Sequence, residues 1–192
     1  MTCVCSYIYC DGDHREVYAA QQGDIGTLEK LFDDSRTNDK HYHHYANKAA
    51  ESDRLDVLMW MHSKGIDIGT WSFSTAIADE NINILDWLYE NGLCPTDTSD
   101  AWSEAIGRGS MTCVKWLHEH KCLAKHSVTE WAAWDNETEC LKYLVKVGYP
   151  YDKYKCLELA KGGHTVHVKD NKIQYKNGYK YTVKYLRSLK GE

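Results

Sequence analysis

The chain has 192 residues, with 23 Lys or Arg against 28 Asp or Glu, a net charge of −5, 8 cysteines and only 2 prolines. This length suits one medium domain or a short repeat array, able to hide roughly 70% of its unfolded surface, and so few prolines argue against Pro-rich linkers. No window approaches the ~20 apolar residues of a membrane span, and the start MTCVCSYIYCDGDHREV has no basic stretch leading into an apolar run, so neither a membrane nor a secretory route is expected.

Without a secretory signal the cysteines are expected as reduced thiols in a cytoplasmic setting. Cys113, Cys140 and Cys156 fall inside apolar helical patterns, where cysteine acts as a small hydrophobe. Charge is uneven. From Lys161 to Glu192 eight basic side chains face two acidic ones, a balance of +6 that leaves −11 on the remainder.

In chain order, residues 1–14 come first. Cys3, Cys5 and Cys10 form one Cys-x-Cys and a third cysteine, short of the two spaced pairs of structural zinc. Val4, Tyr7 and Ile8 suit a cap closing the end of an apolar stack. From residue 15 onward one phrase recurs: TLEKLFDD around Lys30, DVLMWMHSKG around Trp60, NILDWLYENG around Trp87, CVKWLHEHK around Trp116, CLKYLVKVG around Tyr143 and TVKYLRSLKG around Tyr185. The spacings are 30, 27, 29, 27 and 42, a repeat signature.

Other positions keep step with these anchors. A small apolar pair precedes each one: Ala19–Ala20, Ala49–Ala50, Ala76–Ile77, Ala105–Ile106 and Ala132–Ala133. A turn-prone or polar residue follows the pair: Gly23, Asp53, Glu80, Gly109 and Asn136. Past the anchor stands Gly65, Gly92 or Gly148, with Lys121 as the exception. The pair marks a short helix packed closely on a neighbour, the turn residue breaks it, an amphipathic second helix follows, and the glycine stops that helix in a left-handed conformation. Such a hairpin cannot bury its apolar face alone, so units must stack.

Between the first two copies, HYHHY carries His41, His43 and His44. Imidazole is a common metal ligand, but no Cys or carboxylate stands at a matching spacing, so the segment reads as a loop into the second unit and no metal site is assigned. Trp60, Trp87 and Trp116 recur at one place beside apolar neighbours and read as packing between units. Phe73 and Trp102 read as first-helix core. Trp131 and Trp134 differ, because sister units hold Lys48, Thr75, Glu104 and Glu158 at the first place and Gln21, Glu51, Ala78, Gly107 and Lys161 at the second. Polar or tiny sisters imply exposure, which makes these aromatics either binding anchors or covers of an imperfect junction.

The 42-residue spacing exceeds the usual 27 by fifteen. Removing fifteen residues restores the register, with Leu159–Ala160 as the small pair and Gly163 as the turn. The extra material lies within 164–181, where alternation around Asp170–Asn171 and Asn177–Gly178 suggests a β-ribbon of two or three strands. Lys169, Lys172, Lys176 and Lys180 interleave there with Tyr175, Tyr179 and Tyr181. That mixture suits an end cap, an acidic protein partner or nucleic acid.

YAAQQGDIGTLEKL resembles the ankyrin pattern of two alanines, a glycine and an amphipathic second helix, and WLYENGLCPTD resembles the wording of diverged ankyrin repeats in large DNA viruses of amoebae. VGYPYD is a shorter copy of that ending, with Pro95 and Pro150 at nearly equivalent places. The resemblance spans about residues 15–192. The ankyrin T-P-L-H phrase is replaced by WSFSTA, AWSEAI and KCLELA, which points to short loops in place of the usual β-finger. The resemblance implies an all-α repeat solenoid of about six helix–turn–helix units, here with the small β-hairpin insertion near the C-terminus. It also implies a concave groove lined by first-helix positions, which makes Trp131 and Trp134 candidate partner contacts. Asp79, Arg108 and Asp135 are assigned to the same partner-binding surface, with Lys172, Tyr175, Lys176 and Tyr179 on the ribbon.

No nucleophile elbow, P-loop, paired-histidine zinc motif or dinucleotide glycine set occurs. Glu104 and Asp135 are single carboxylates and not a matched pair. A non-enzymatic protein–protein interaction module without cofactor is therefore expected. The viral likeness suggests an adaptor, decoy or inhibitor of a host protein in the host cytoplasm. The alternatives are nucleic-acid binding through the basic C-terminal hairpin, which the acidic body opposes, and a structural, self-associating virion protein.

Overall fold

A computed structural model describes residues 14–32, 40–162, 166–169, 172–175 and 178–189. The cap expected over residues 1–14 lies outside these except for His14. The chain divides into two compact units, Met1–Pro95 and Thr96–Glu192. The first holds α1 (His14–Gln22), α2 (Ile25–Leu31), α3 (Lys40–Glu51), α4 (Leu55–Ser63), α5 (Gly69–Ala78) and α6 (Ile82–Glu90). The second holds α7 (Ser99–Gly107), α8 (Met111–Glu119), α9 (Val128–Trp134), α10 (Thr138–Lys146), α11 (Lys153–Gly162) and α12 (Gly178–Ser188). Within each unit the helices form pairs, and first helices pack in series: α1 on α3 on α5, and α7 on α9 on α11. This serial packing is compatible with an α-solenoid.

Every described turn between paired helices is built the same way. Gly23, Asp53, Glu80, Gly109 and Asn136 all take positive φ, from 54° to 74°. The next backbone N–H then bonds back to the carbonyl of the first small residue: Asp24 to Ala19, Arg54 to Ala49, Asn81 to Ala76, Ser110 to Ala105 and Glu137 to Ala132, at 2.8–3.0 Å. A second side-chain contact locks some turns to the following pair. Glu137 lies over Gly109, with Oε2 only 2.7 Å from where a Cβ would stand, and Asn81 Nδ2 donates to the Ala50 carbonyl at 2.8 Å.

The small pairs are buried at 0–2% exposure, so first helices approach closely. The second helices bury equivalent triplets: Val57, Leu58 and Met61; Ile84, Leu85 and Leu88; Cys113, Val114 and Leu117; Cys140, Leu141 and Leu144. Truncating one of these leucines to alanine costs about 2–5 kcal/mol. Phe73 and Trp102 are fully buried, as the repeat register requires, and Trp102 Nε1 donates to the Cys122 carbonyl at 3.1 Å. The anchor rings form a partly exposed edge. A side chain two residues after one anchor meets the next anchor edge-on: Phe32 with Trp60 at 5.7 Å, His62 with Trp87 at 5.6 Å and His118 with Tyr143 at 5.9 Å.

Four expectations change. HYHHY is not a loop: it opens α3, because Tyr42, Tyr45, Ala46 and Ala49 are spaced as one buried helical stripe. Lys121 is no exception, since it takes φ 54° in the place Gly65, Gly92 and Gly148 hold with φ 67–93°. The expected ribbon over 164–181 is narrower. Val166–Lys169 (β1) and Lys172–Tyr175 (β2) pair antiparallel, and a lone pair of four-residue strands is marginal in water. Finally, Gly178 starts α12, so Tyr179, Lys180 and Tyr181 are helical, because Thr182 and Leu186 continue a helical stripe that is buried. Gly163, Asp170–Asn171, Lys176 and Asn177 lie outside the described residues.

The loop before α7 is tied to the loop before α9. Thr98 N–H and Oγ1 both donate to the Leu123 carbonyl, and Asp97 pairs with Lys125 at 2.7 Å and accepts from Ser99. The Lys125 bond, then those from Ser99, hold the Asp97 carboxyl at about 2. A depressed acid contributes its full stabilisation above its ordinary value near 3.8 and loses it as pH falls toward about 2. Denaturant midpoints of wild type and Asp97→Asn should therefore differ at pH 6 and draw together between pH 4 and 2.

Added methyls would meet nothing within 4 Å at Gly92, so its substitution tests backbone strain alone. Gly92→Ala should lower unfolding free energy by about 1 kcal/mol, and Lys121→Gly should raise it by about 1 kcal/mol.

Candidate functional site

On each first helix the places sixteen, twelve and nine residues before the restored anchor share one face, being spaced i, i+4 and i+7. In the first unit this face carries Trp71 at 70% exposure and Tyr18 at 64%. In the second it carries Trp131 and Trp134 on α9 and Tyr154 on α11. Trp134 is 47% exposed and Tyr154 80%, while Trp131 is half-buried, edge-on to His126 at 5.8 Å. Tyr18, Trp71, Trp134 and Tyr154 thus share the first-helix face that contributes nothing to the apolar seam, while Tyr89, Tyr179 and Tyr181 are exposed on α6 and α12.

Charged pairs frame them. Lys155 of α11 meets Glu130 of α9 at 2.7 Å, and Arg108 pairs with Glu104 at the end of α7. The Asp135 carboxylate reaches back over Gly107, 3.6 Å from where a Cβ would stand. Four of the expected contacts, Trp131, Trp134, Arg108 and Asp135, therefore sit on adjacent helices α7 and α9 or at their ends. Asp79 is an exposed helix-end residue of the first unit. Tyr179 is 44% exposed on α12. Lys172 and Tyr175 are placed by backbone alone, at opposite ends of β2, and Lys176 lies outside the described residues.

Tyr18, Trp71 and Tyr154 were not singled out from sequence. The signal existed: Tyr18 holds the same register place as Trp131, and Trp71 and Tyr154 share the place one turn earlier.

Among the described residues no three His, Cys, Asp or Glu side chains converge as metal ligands, and no helix is long and apolar enough to cross a membrane. Burial pushes the Cys156 thiol up to about 11 and also raises Cys122, the reverse of what activates a nucleophile. The arrangement offers apolar contact flanked by charge. No family's sequence profile matches the chain, and no curated protein matches it.

The two tryptophan environments predict opposite outcomes in chemical denaturation. Trp134→Ala should change unfolding free energy by less than about 0.5 kcal/mol, whereas Trp102→Ala should cost about 3–5 kcal/mol.

Proposed function

We propose that this chain is a diverged ankyrin-like repeat protein of about six helix–turn–helix units that acts as a non-catalytic protein-binding module. The observation that carries the reading is the placement of Trp71 and Tyr154, largely exposed, and Trp134, nearly half exposed, on the outward face of first helices. Aromatic side chains supply large contact area at low conformational cost and dominate interface hot spots. Serial helix pairs suit this role, since their outward faces are free to vary while the seam is held by packing. Trp131, Trp134 and Tyr154 form the anchor group, and Glu104, Arg108, Asp135 and the Glu130–Lys155 pair form the charged rim that selects orientation. The viral wording of the repeats supports a host protein as partner and an adaptor, decoy or inhibitor role in host cytoplasm.

The test is affinity capture followed by mass spectrometry, run with wild type and Trp131→Ala/Trp134→Ala side by side. The expected result is a protein partner whose recovery falls at least about tenfold in the double variant while its circular dichroism and melting are retained. Capture that is indifferent to both tryptophans, or recovery of nucleic acid alone, overturns the reading.

A further inference from the structure

Helix α12 carries Lys180, Lys184 and Arg187 at steps of four and three, on one face about 10 Å long. Lys161, from the last turn of α11, joins them. With Tyr179 and Val183 these four cations line one open cleft of about 390 Å³, and among the described residues no acidic side chain lines it. Some other lysines hold carboxylates, Lys48 with Glu51, Lys125 with Asp97, Lys142 with Glu139 and Lys155 with Glu130, while Lys115 and Lys146 stand singly on the surface, so what sets the cleft cations apart is their clustering. Among the described residues none of the four cleft cations makes such a pair. Lys161 and Arg187 stand in the last turns of their helices, where a cation steadies the helix end. Lys180 has its ammonium over the Tyr179 ring, 6.0 Å from the centroid, and Lys184 stands between this cleft and a neighbouring one that Glu137 and Glu139 line.

We infer that this cleft receives a short acidic peptide segment of a partner protein. The inference rests on the protein-binding reading above and names the chemistry of what is bound. Four clustered cations with no carboxylate among the described lining residues attract carboxylates, and Val183, beside the Tyr179 ring that Lys180 overlies, provides apolar contact for one aliphatic side chain. Lys161 holds on α11 the register place that Trp134 holds on α9, so the cleft adjoins the aromatic face. A nucleic acid fits less well. Its charge continues every few ångströms beyond a 10 Å row, and the rest of the chain, at −11 outside residues 161–192, repels that continuation. A short acidic segment ends where the row ends.

The test is fluorescence anisotropy with a labelled twelve-residue glutamate peptide carrying one central leucine, beside a labelled twelve-nucleotide oligothymidine, at low and raised salt. Saturable peptide binding is expected. Lys184→Glu/Arg187→Glu should weaken it at least about tenfold. Lys115→Glu/Lys146→Glu changes net charge equally outside the cleft and should leave it within about twofold, by the same screening argument. Tyr179→Ala should weaken it severalfold. Lys184→Gln/Arg187→Gln, a milder change, is read alongside so that a folding defect in the reversal pair cannot pass for lost binding. Four results overturn the inference: no peptide binding, equal losses in both reversal pairs, tighter binding of oligothymidine, or self-association of the unliganded protein in sedimentation that Lys184→Glu/Arg187→Glu abolishes. Failure here with capture through Trp131 and Trp134 intact would leave the protein-binding reading standing.

Discussion

The structure depends on one repeated backbone event. At every described turn after a first helix a residue is held at positive φ, and the following N–H turns back to the carbonyl of a buried alanine five residues earlier. Glycine meets that demand at Gly23 and Gly109, but Asp53, Glu80 and Asn136 meet it against a backbone preference of about 1–2 kcal/mol each. The bond and the packing it enables outweigh that strain. The turn reverses the chain within three residues and fixes the angle at which the second helix leaves. Because the turn repeats, the same second-helix positions are buried in α4, α6, α8 and α10. The alanine pairs follow from the same constraint: a larger side chain there would push apart first helices that the turns hold close.

That dependence explains what was readable in the amino-acid order. Turn residues, small pairs and second-helix triplets recur because each copy solves the same steric problem with similar side chains. HYHHY escaped because histidine and tyrosine disguise an apolar stripe, and only the spacing of Tyr42, Tyr45, Ala46 and Ala49 reveals it. Lys121 looked like an exception because residue type was taken for conformation. Its N–H and that of Cys122 make the same bonds, to the His118 and Leu117 carbonyls, that end the helices closed by Gly65, Gly92 and Gly148. Tyr179 to Tyr181 alternates too briefly to separate a strand from the first turn of a helix. The candidate surface was half legible. Comparison with sister units exposed Trp131 and Trp134, and the same comparison reaches Trp71 and Tyr154, whose sisters His14, His44, Asp100 and Ser127 are all polar.

A repeat makes its own control for function. At buried places all copies are under one packing constraint, so similarity there reports stability. At outward places the constraint lapses, and bulk that appears there has no packing role to explain it. Trp102 and Trp134 show the contrast in one unit: the first is buried with its ring nitrogen bonded to a loop carbonyl, and the second is nearly half exposed on a helix end. The same logic separates the cations. Lys125 and Lys155 are accounted for by the carboxylates they hold, whereas among the described residues the row on α12 meets no carboxylate within its own cleft.

On the proposed reading the two surface features govern different stages of one encounter. Exposed aromatic rings act at contact range, and their loss is felt as faster dissociation. Converging cations act over roughly a Debye length, about 8 Å at physiological salt, and set how often and in what orientation a partner arrives. An acidic body favours this division. A partner bearing one acidic segment is repelled from most of the chain and drawn to the single basic end, and Lys161, on the same face as the aromatic rings, brings that end next to the contact surface. Specificity then comes as much from where approach is disfavoured as from where contact is made.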